Sequence, residues 1–131
     1  MSITDHFRQS ETVPDFWQVL ESPEHLEAAI ALSHEKPVAL FKHSTRCGIS
    51  AHAKHRLESN WTFSPEELEF FYLDLIACRP VSNQIAEQLR VVHQSPQLIL
   101  LRHGKAVYDA SHHSIEVKTL RKALENACAN A

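Results

Sequence analysis

The stretch that decides the fold reads Phe41-Lys42-His43-Ser44-Thr45-Arg46-Cys47-Gly48-Ile49-Ser50. The apolar run at residues 38–41 is typical of a buried central strand, and a helical pattern begins after Cys47. Cys47 is therefore predicted at a strand-to-helix junction, where helix N–H groups and the positive end of the helix dipole favour a thiolate. Because the thiolate is the nucleophilic form of cysteine, Cys47 is the candidate reactive residue. The alternative is an inert cysteine that packs as a small hydrophobe.

The surroundings of Cys47 leave several roles open. Ser50 stands where a Cys-x-x-Cys motif would carry its second cysteine, so a redox site here would work with one thiol. Its hydroxyl could donate a hydrogen bond to the thiolate, or it could bond to backbone as first-turn serines commonly do. His43 could stabilise the thiolate as an imidazolium or be a structural histidine. Arg46 could bind the carboxylate of a small thiol or lie in solvent.

Composition predicts one domain over residues 1–131, with residues 1–14 as a loose lead-in. The chain is 44% hydrophobic and 22% charged, as in ordinary globular proteins. A formal charge of -3 without a basic stripe argues against nucleic-acid binding, and no apolar run approaches the roughly 20 residues of a membrane span. Residues 1–6 lack a secretory-signal pattern. Together with three cysteines, this predicts a reducing cytoplasm.

The pattern of apolar residues and breakers predicts the element order β-α-β-α-β-α-β-β-α. This order is typical of an α/β fold whose first strands pair in parallel and whose late hairpin adds antiparallel pairing. Gly104 marks that hairpin. Predicted strands cover residues 16–20, 38–41, 70–75, 98–101 and 106–108. The first predicted helix begins at Ser22-Pro23, and the second covers residues 48–58 with Ile49, Ala53 and Leu57 facing inward. The third begins at Pro80, and the last is capped by Ser114.

The order, with a cysteine after the second strand and an X-Pro before the hairpin, resembles the thioredoxin fold. Residues 41–50 resemble the active-site segment of the YtxJ family, the monothiol bacilliredoxins, which typically shows His-Ser-x-x-Cys-Pro-Ile-Ser. Gly48 replaces that proline, which makes the segment also similar to the Cys-Gly-Phe-Ser motif of monothiol glutaredoxins. The resemblance covers roughly residues 16 to 125 and includes Tyr72-Leu73-Asp74-Leu75, Arg79-Pro80-Val81-Ser82-Asn83, His93-Gln94-Ser95-Pro96-Gln97 and Gly104-Lys105-Ala106-Val107-Tyr108-Asp109-Ala110-Ser111-His112.

The resemblance implies a thioredoxin-like fold with a central mixed sheet of four to five strands flanked by helices. It implies that Cys47 is catalytic and that the Ser95–Pro96 bond is cis, with the backbone of Ser95 turned toward substrate. In glutaredoxins the loop that matches Ser111 and His112 binds the carboxylate of the thiol cofactor. The supporting residues around the cysteine are then His43, Ser44, Thr45, Arg46, Gly48, Ile49 and Ser50.

The activity that the resemblance implies is that of a cytoplasmic monothiol thiol–disulfide oxidoreductase. Such a protein removes a low-molecular-weight thiol such as bacillithiol, or glutathione, from S-thiolated proteins. It needs no tightly bound cofactor and no metal, and we expect a monomer or weak homodimer. One alternative is an iron–sulfur cluster carrier like some monothiol glutaredoxins, with Gly48 as its main support. Another is a thioredoxin-fold binding module without catalysis.

The remaining cysteines and histidines are weaker candidates. Cys78, predicted at the end of a strand, or Cys128, at the end of the last helix, could be a resolving cysteine, although most such cysteines are bystanders. His52 and His55 are three residues apart, but a structural zinc site needs about four closely grouped ligands, so surface histidines are the better interpretation. His113 is expected to be exposed in a capping segment.

Overall fold

The computed structural model describes residues 17–129, so the predicted lead-in at residues 1–14 and the start of the predicted first strand lie outside the described residues. The described part of the chain forms five strands, four α-helices and one short 3-10 helix. In chain order these are β1 Trp17–Val19, α1 Pro23–Leu32, β2 Val38–His43, α2 Gly48–Ser59, β3 Glu69–Asp74, α3 Arg79–Leu89, β4 Gln97–Arg102, β5 Lys105–Ser111, the 3-10 helix His112–Ser114 and α4 Val117–Ala129.

The five strands form one mixed sheet in the order β1-β3-β2-β4-β5. β3 pairs in parallel with both β1 and β2, whereas β4 pairs antiparallel with β2 and with β5. This arrangement confirms the predicted α/β class and the mixed sheet. β2 is the central strand and all six of its residues are buried. The Cys47 segment therefore leaves the middle of the sheet rather than an edge.

Two apolar layers cover the two faces of the sheet, because side chains alternate along each strand. On one face Phe41 and Phe70 pack with Leu57 of α2 and Leu120 of α4. The other face carries a second cluster that includes Leu40, Leu73 and Ile99 of the sheet, Leu26 of α1 and Ile85 of α3. Each fully buried side chain of this size contributes about 1.5–3 kcal/mol to folding. These layers fix β2, and with it the start of α2.

The predicted start of α1 at Ser22-Pro23 is confirmed, whereas the predicted capping of α4 by Ser114 is wrong. The Ser22 hydroxyl accepts a hydrogen bond from the His25 N–H at 3.1 Å, with Pro23 in the first turn. Ser114 instead lies in the 3-10 helix, and α4 begins at Val117. The reason is Ile115, which is fully buried. Since the chain turns inward to bury Ile115, it becomes helical only afterwards.

The inward face of α2 also differs from the prediction. Its buried residues are Ser50, Ala53, Lys54 and Leu57, and Ile49 is 43% exposed. Ala53 and Leu57 fit either helix orientation, so the apolar pattern alone could not choose between Ile49 and Ser50. In the observed orientation Ser50 faces inward, where its hydroxyl makes the hydrogen bonds described below.

The predicted hairpin is confirmed as a two-residue connection formed by His103 and Gly104, whose φ angles are 56° and 76°. Positive φ at both positions is the type I′ geometry that matches the twist of a hairpin. All five strands differ from the predicted bounds by one to three residues at one end or both, and two of these differences concern the site. β2 extends to His43 instead of ending at residue 41, and β3 ends at Asp74. Cys78 consequently caps the start of α3 and does not end a strand.

Candidate active site

Cys47 lies at the junction that its sequence predicts. It is the N-cap residue of α2, with an extended backbone at φ −116° and ψ 121°, and its side chain is partly exposed. Its carbonyl accepts the first helical hydrogen bond, from Ala51 at 3.0 Å, and its N–H donates to the Ser44 carbonyl at 3.2 Å. The thiol thus stands at the positive end of a 12-residue helix, where negative charge is favoured.

His43 and Ser50 form a buried pair beside the Cys47 loop. His43 Nδ1 lies 2.6 Å from Ser50 Oγ, and the Ser44 N–H donates to the same oxygen at 3.0 Å. Ser50 is fully buried and His43 is only 1% exposed, its ring packed against Phe41 and Tyr72. The Ser50 hydroxyl therefore ties the end of β2 and the following loop to α2, which is the backbone-bonding role weighed above.

The other residues around Cys47 form its solvent-facing rim. Arg46 and Ile49 are exposed on either side of it, and Ser44 and Thr45 are half-buried. They present one cation and one apolar side chain to whatever docks at the thiol. Gly48 is also exposed, and a Cβ built on it would meet nothing within 4 Å. No steric reason therefore requires a glycine at that position.

The two predicted substrate-binding segments lie side by side. The Ser95–Pro96 peptide bond is cis, as predicted. The Pro96 carbonyl accepts a hydrogen bond from the His112 N–H at 3.2 Å, and Ser111 pairs with Gln97 across β4 and β5. His112 itself has a positive φ of 53°.

The sheet register also brings these two segments to the end of β2. Lys42 pairs with Gln97, so the next residues outward, His43 and Pro96, end at the same edge from which the Cys47 loop leaves. The fold therefore gathers all the predicted site segments at one end of the sheet.

Arg56 is a supporting residue that sequence reasoning missed. From the last turn of α2 it donates to the carbonyl of His112 at 3.0 Å and to that of Ile115 at 3.2 Å. It thereby fixes the 3-10 helix against α2. The backbone of His112 is consequently held from both sides, by Arg56 at its carbonyl and by Pro96 at its N–H. No sequence signal indicated this contact, because the partner groups are backbone carbonyls.

A second missed group is the pair formed by Lys42 and His93. Lys42 is fully buried in β2, and its Nζ lies 2.8 Å from His93 Nδ1. Burial lowers the pKa of Lys42 to about 8. Burial also lowers the pKa of His93, and the charges of Lys42 and Arg79 lower it further. A lysine that directly continues an apolar strand run was the available signal, but the prediction ended the strand at residue 41.

The two other cysteines lie in different surroundings. Burial raises the pKa of the Cys78 thiol, and the carboxylates of Glu21 and Asp74 raise it further. Cys128 is exposed near the end of α4. His52, His55 and His113 are exposed, as predicted. Within residues 17–129, no three His, Cys, Asp or Glu side chains group closely enough to hold a metal, and no helix is long and apolar enough to cross a membrane.

Residues 18–120 match the family model of the monothiol bacilliredoxin BrxC. The chain belongs to the monothiol bacilliredoxin family. Among solved structures, a proposed oxidoreductase with a thioredoxin fold is 30% identical to this bacilliredoxin, with a TM-score of 0.71 over 82% of this chain and 93% of the other. Family and neighbour together support a thiol redox function.

More distant structures show the same fold. The thioredoxin of Malassezia sympodialis is 14% identical to this bacilliredoxin, with a TM-score of 0.67 over 88% of this chain and 95% of the other. The thioredoxin of Fasciola hepatica is 19% identical, with a TM-score of 0.64 over 84% and 98% of the two chains. These likenesses confirm the predicted thioredoxin-like fold.

Proposed function

We propose that this bacilliredoxin is a cytoplasmic monothiol thiol–disulfide oxidoreductase that removes a low-molecular-weight thiol, bacillithiol in the first instance, from S-thiolated proteins. The observation that carries the proposal is the position of Cys47. Its partly exposed thiol caps α2 at the sheet end that also holds Pro96 and His112. Position 50 carries a buried serine, so no cysteine within this motif can resolve the product.

The proposed reaction is a pair of exchange steps. The Cys47 thiolate attacks the small-thiol sulfur of a protein mixed disulfide, whose S–S bond breaks as the Cys47–S–S–R bond forms. The protein thiolate leaves and takes a proton from water. A second molecule of the small thiol, as its thiolate, then attacks the R sulfur and releases R–S–S–R and the Cys47 thiolate. Over the two steps the protein cysteine is reduced to its thiol and one free small thiol is oxidised, leaving joined to the removed one as R–S–S–R, so no bound cofactor or metal is needed.

Several residues at this end of the sheet have a proposed part in these steps. The start of α2 favours negative charge on Cys47 both before attack and when it leaves. The backbone of Ser95 pairs with the extended chain or thiol that carries the disulfide. Arg46 and the loop of Ser111 and His112 receive carboxylates of the small thiol. Thr45 and Ile49 shape the rim, and the protein acts as a monomer or weak homodimer.

Cys78 is an unfavourable resolving cysteine. It is half-buried, and its raised pKa keeps it protonated near neutral pH, whereas thiol exchange requires a thiolate. The small thiol is therefore the better resolving group.

The test is reduction of a bacillithiol-thiolated peptide, followed by mass spectrometry of the protein. We expect one small-thiol adduct on wild type, its loss in Cys47→Ser, and its retention in the matched control Cys128→Ser. Replacing bacillithiol by glutathione identifies the preferred thiol. No adduct on Cys47 with either thiol would overturn the proposal. Visible absorbance and bound iron after anaerobic reconstitution, without exchange activity, would instead favour the cluster-carrier alternative that Gly48 suggests.

A further inference from the structure

Lys42 and Gln97 are two buried polar side chains that face each other across the central strands. They are a directly opposed pair of β2 and β4, and both are fully buried. By strand alternation they lie on the sheet face opposite His43, so they belong to the layer under α1 and α3. Both reach the same segment, the α3–β4 loop of residues 90–96. Nothing in the chemistry at Cys47 itself uses them.

The contacts of this pair cover the middle of the loop. Lys42 Nζ lies 2.8 Å from His93 Nδ1. The Gln97 amide donates to the Val92 carbonyl at 3.0 Å, and its oxygen accepts from the Gln94 N–H at 3.3 Å. Three consecutive loop residues are therefore held by two side chains of the sheet.

The loop has little apolar anchoring of its own in this region. Val92 is 80% exposed and His93 is exposed as well. Nearer α3, Val91 packs against the core layer, so it is over residues 92–94 that polar contacts provide most of the order. The last residue of the loop, Pro96, is linked to the 3-10 helix, because its carbonyl accepts a hydrogen bond from the His112 N–H. A loosened loop would consequently disturb both segments that lie at the sheet end from which the Cys47 loop leaves.

We propose that Lys42 and Gln97 are positioning residues, which hold the α3–β4 loop so that Ser95 and Pro96 are presented to the incoming disulfide. The inference rests on the proposed function and deepens it, since it assigns substrate docking to residues remote from the thiol. Loss of either side chain then weakens docking and leaves the reactivity of Cys47 intact.

The Lys42 contact also makes docking sensitive to acid. The charged groups that act on His93 are Lys42 on β2 and Arg79 on α3, and both are cations. A carboxylate also belongs to this network, that of Asp109 on β5, which accepts a hydrogen bond from the Gln97 amide at 3.3 Å. The His93 ring accepts from the Lys42 ammonium only while it is neutral. Once protonated it becomes a third cation beside two others, and the loop is released.

The experiment compares Lys42→Met and His93→Ala with wild type, using Lys36→Met as a matched control. Lys36 is a half-buried lysine that pairs with Glu69 at the opposite end of the sheet. His93 is exposed, so His93→Ala tests the contact without removing a core residue. His93→Asn keeps an acceptor that does not titrate. Three quantities are measured: amide hydrogen exchange at Gln94 and His112, kcat and KM with a thiolated peptide, and Cys47 alkylation by iodoacetamide.

We expect Lys42→Met and His93→Ala to raise KM and to speed amide exchange at Gln94 by about tenfold, as for loss of one hydrogen bond to a charged group. Their kcat and alkylation rates should stay at the wild-type value. In wild type, KM should rise as the pH falls below the usual imidazole range, and His93→Asn should abolish that rise.

Unchanged Gln94 exchange in both variants would overturn the positioning role. So would an equal rise of KM in Lys36→Met, or a parallel fall in alkylation. If wild type fails to exchange thiols at all, the proposed function is overturned, and amide exchange still decides whether the contact between Lys42 and His93 orders the loop.

Discussion

His43 Nδ1 and Ser50 Oγ lie 2.6 Å apart, and this buried contact joins the last residue of the central strand to the first turn of α2. The Ser44 N–H shares the same oxygen. One hydroxyl therefore serves both the imidazole and the loop that carries Cys47. The hydroxyl thereby links the central strand to the loop that positions the Cys47 thiol.

Removing this hydroxyl should destabilise the protein. Ser50→Ala leaves the Ser44 N–H and His43 Nδ1 without this partner, and we expect the free energy of unfolding to fall by about 1–3 kcal/mol. The matched control is Ser59→Ala in the same helix, because Ser59 also contacts a histidine ring, that of His55, but in an exposed position. Its effect should stay within about 0.5 kcal/mol. Urea unfolding measures both, and equal losses would contradict the structural role of Ser50.

The three thiols should react with iodoacetamide at different rates. Cys78 should be the slowest near neutral pH, because burial and the carboxylates of Glu21 and Asp74 raise its pKa. Its rate should increase only above the usual thiol range, as its thiolate forms. Cys128, which is exposed, provides the internal comparison. Peptide mapping after timed alkylation measures the order, and a Cys78 that reacts as fast as Cys128 at neutral pH would refute the prediction.

Lys42→Met should change the dependence of stability on pH. The pKa of Lys42 falls from its usual 10.5 to about 8 on folding, so between these values the unfolded chain binds more protons than the folded one. Wild-type stability should therefore rise relative to Lys42→Met as the pH increases from 8 to 10.5, by at most about 3 kcal/mol. At neutral pH, where the buried ammonium is costly, the variant should be at least as stable as wild type.

Urea unfolding at several pH values tests this expectation, with Lys36→Met again as the control. A stability difference between wild type and Lys42→Met that stays constant across this range would show that Lys42 does not titrate as the structure indicates.

Gly48→Pro should be tolerated and stabilising. Gly48 is the first residue of α2, where proline is favoured, and Cys47 before it has the extended backbone that a following proline requires. We expect the free energy of unfolding to rise by about 0.4–1 kcal/mol. Gly104→Pro is the control, because the φ of +76° at Gly104 is incompatible with proline. Thermal unfolding measures both, and a loss of stability in Gly48→Pro comparable with that of Gly104→Pro would count against this geometry.

Much of the fold followed from short-range signals. The Ser22-Pro23 helix start and the His103-Gly104 turn depend on the conformational preferences of neighbouring residues, so the sequence could indicate them. The predictions failed where local preference allowed two answers. Either Ile49 or Ser50 could face inward with the same apolar pattern. Ser114 is a favourable helix cap by its local sequence, but the burial of Ile115 delays the start of the helix.

The sequence by itself determined the order of helices and strands and the placement of Cys47 at a strand-to-helix junction, because apolar periodicity, caps and breakers act over a few residues. Only the tertiary structure decided which distant groups meet there. Lys42 and His93 are 51 residues apart, and Arg56 and His112 are 56 apart. Such contacts depend on strand register and on which helix face is buried, and these are settled only when the two layers of the core pack against the sheet.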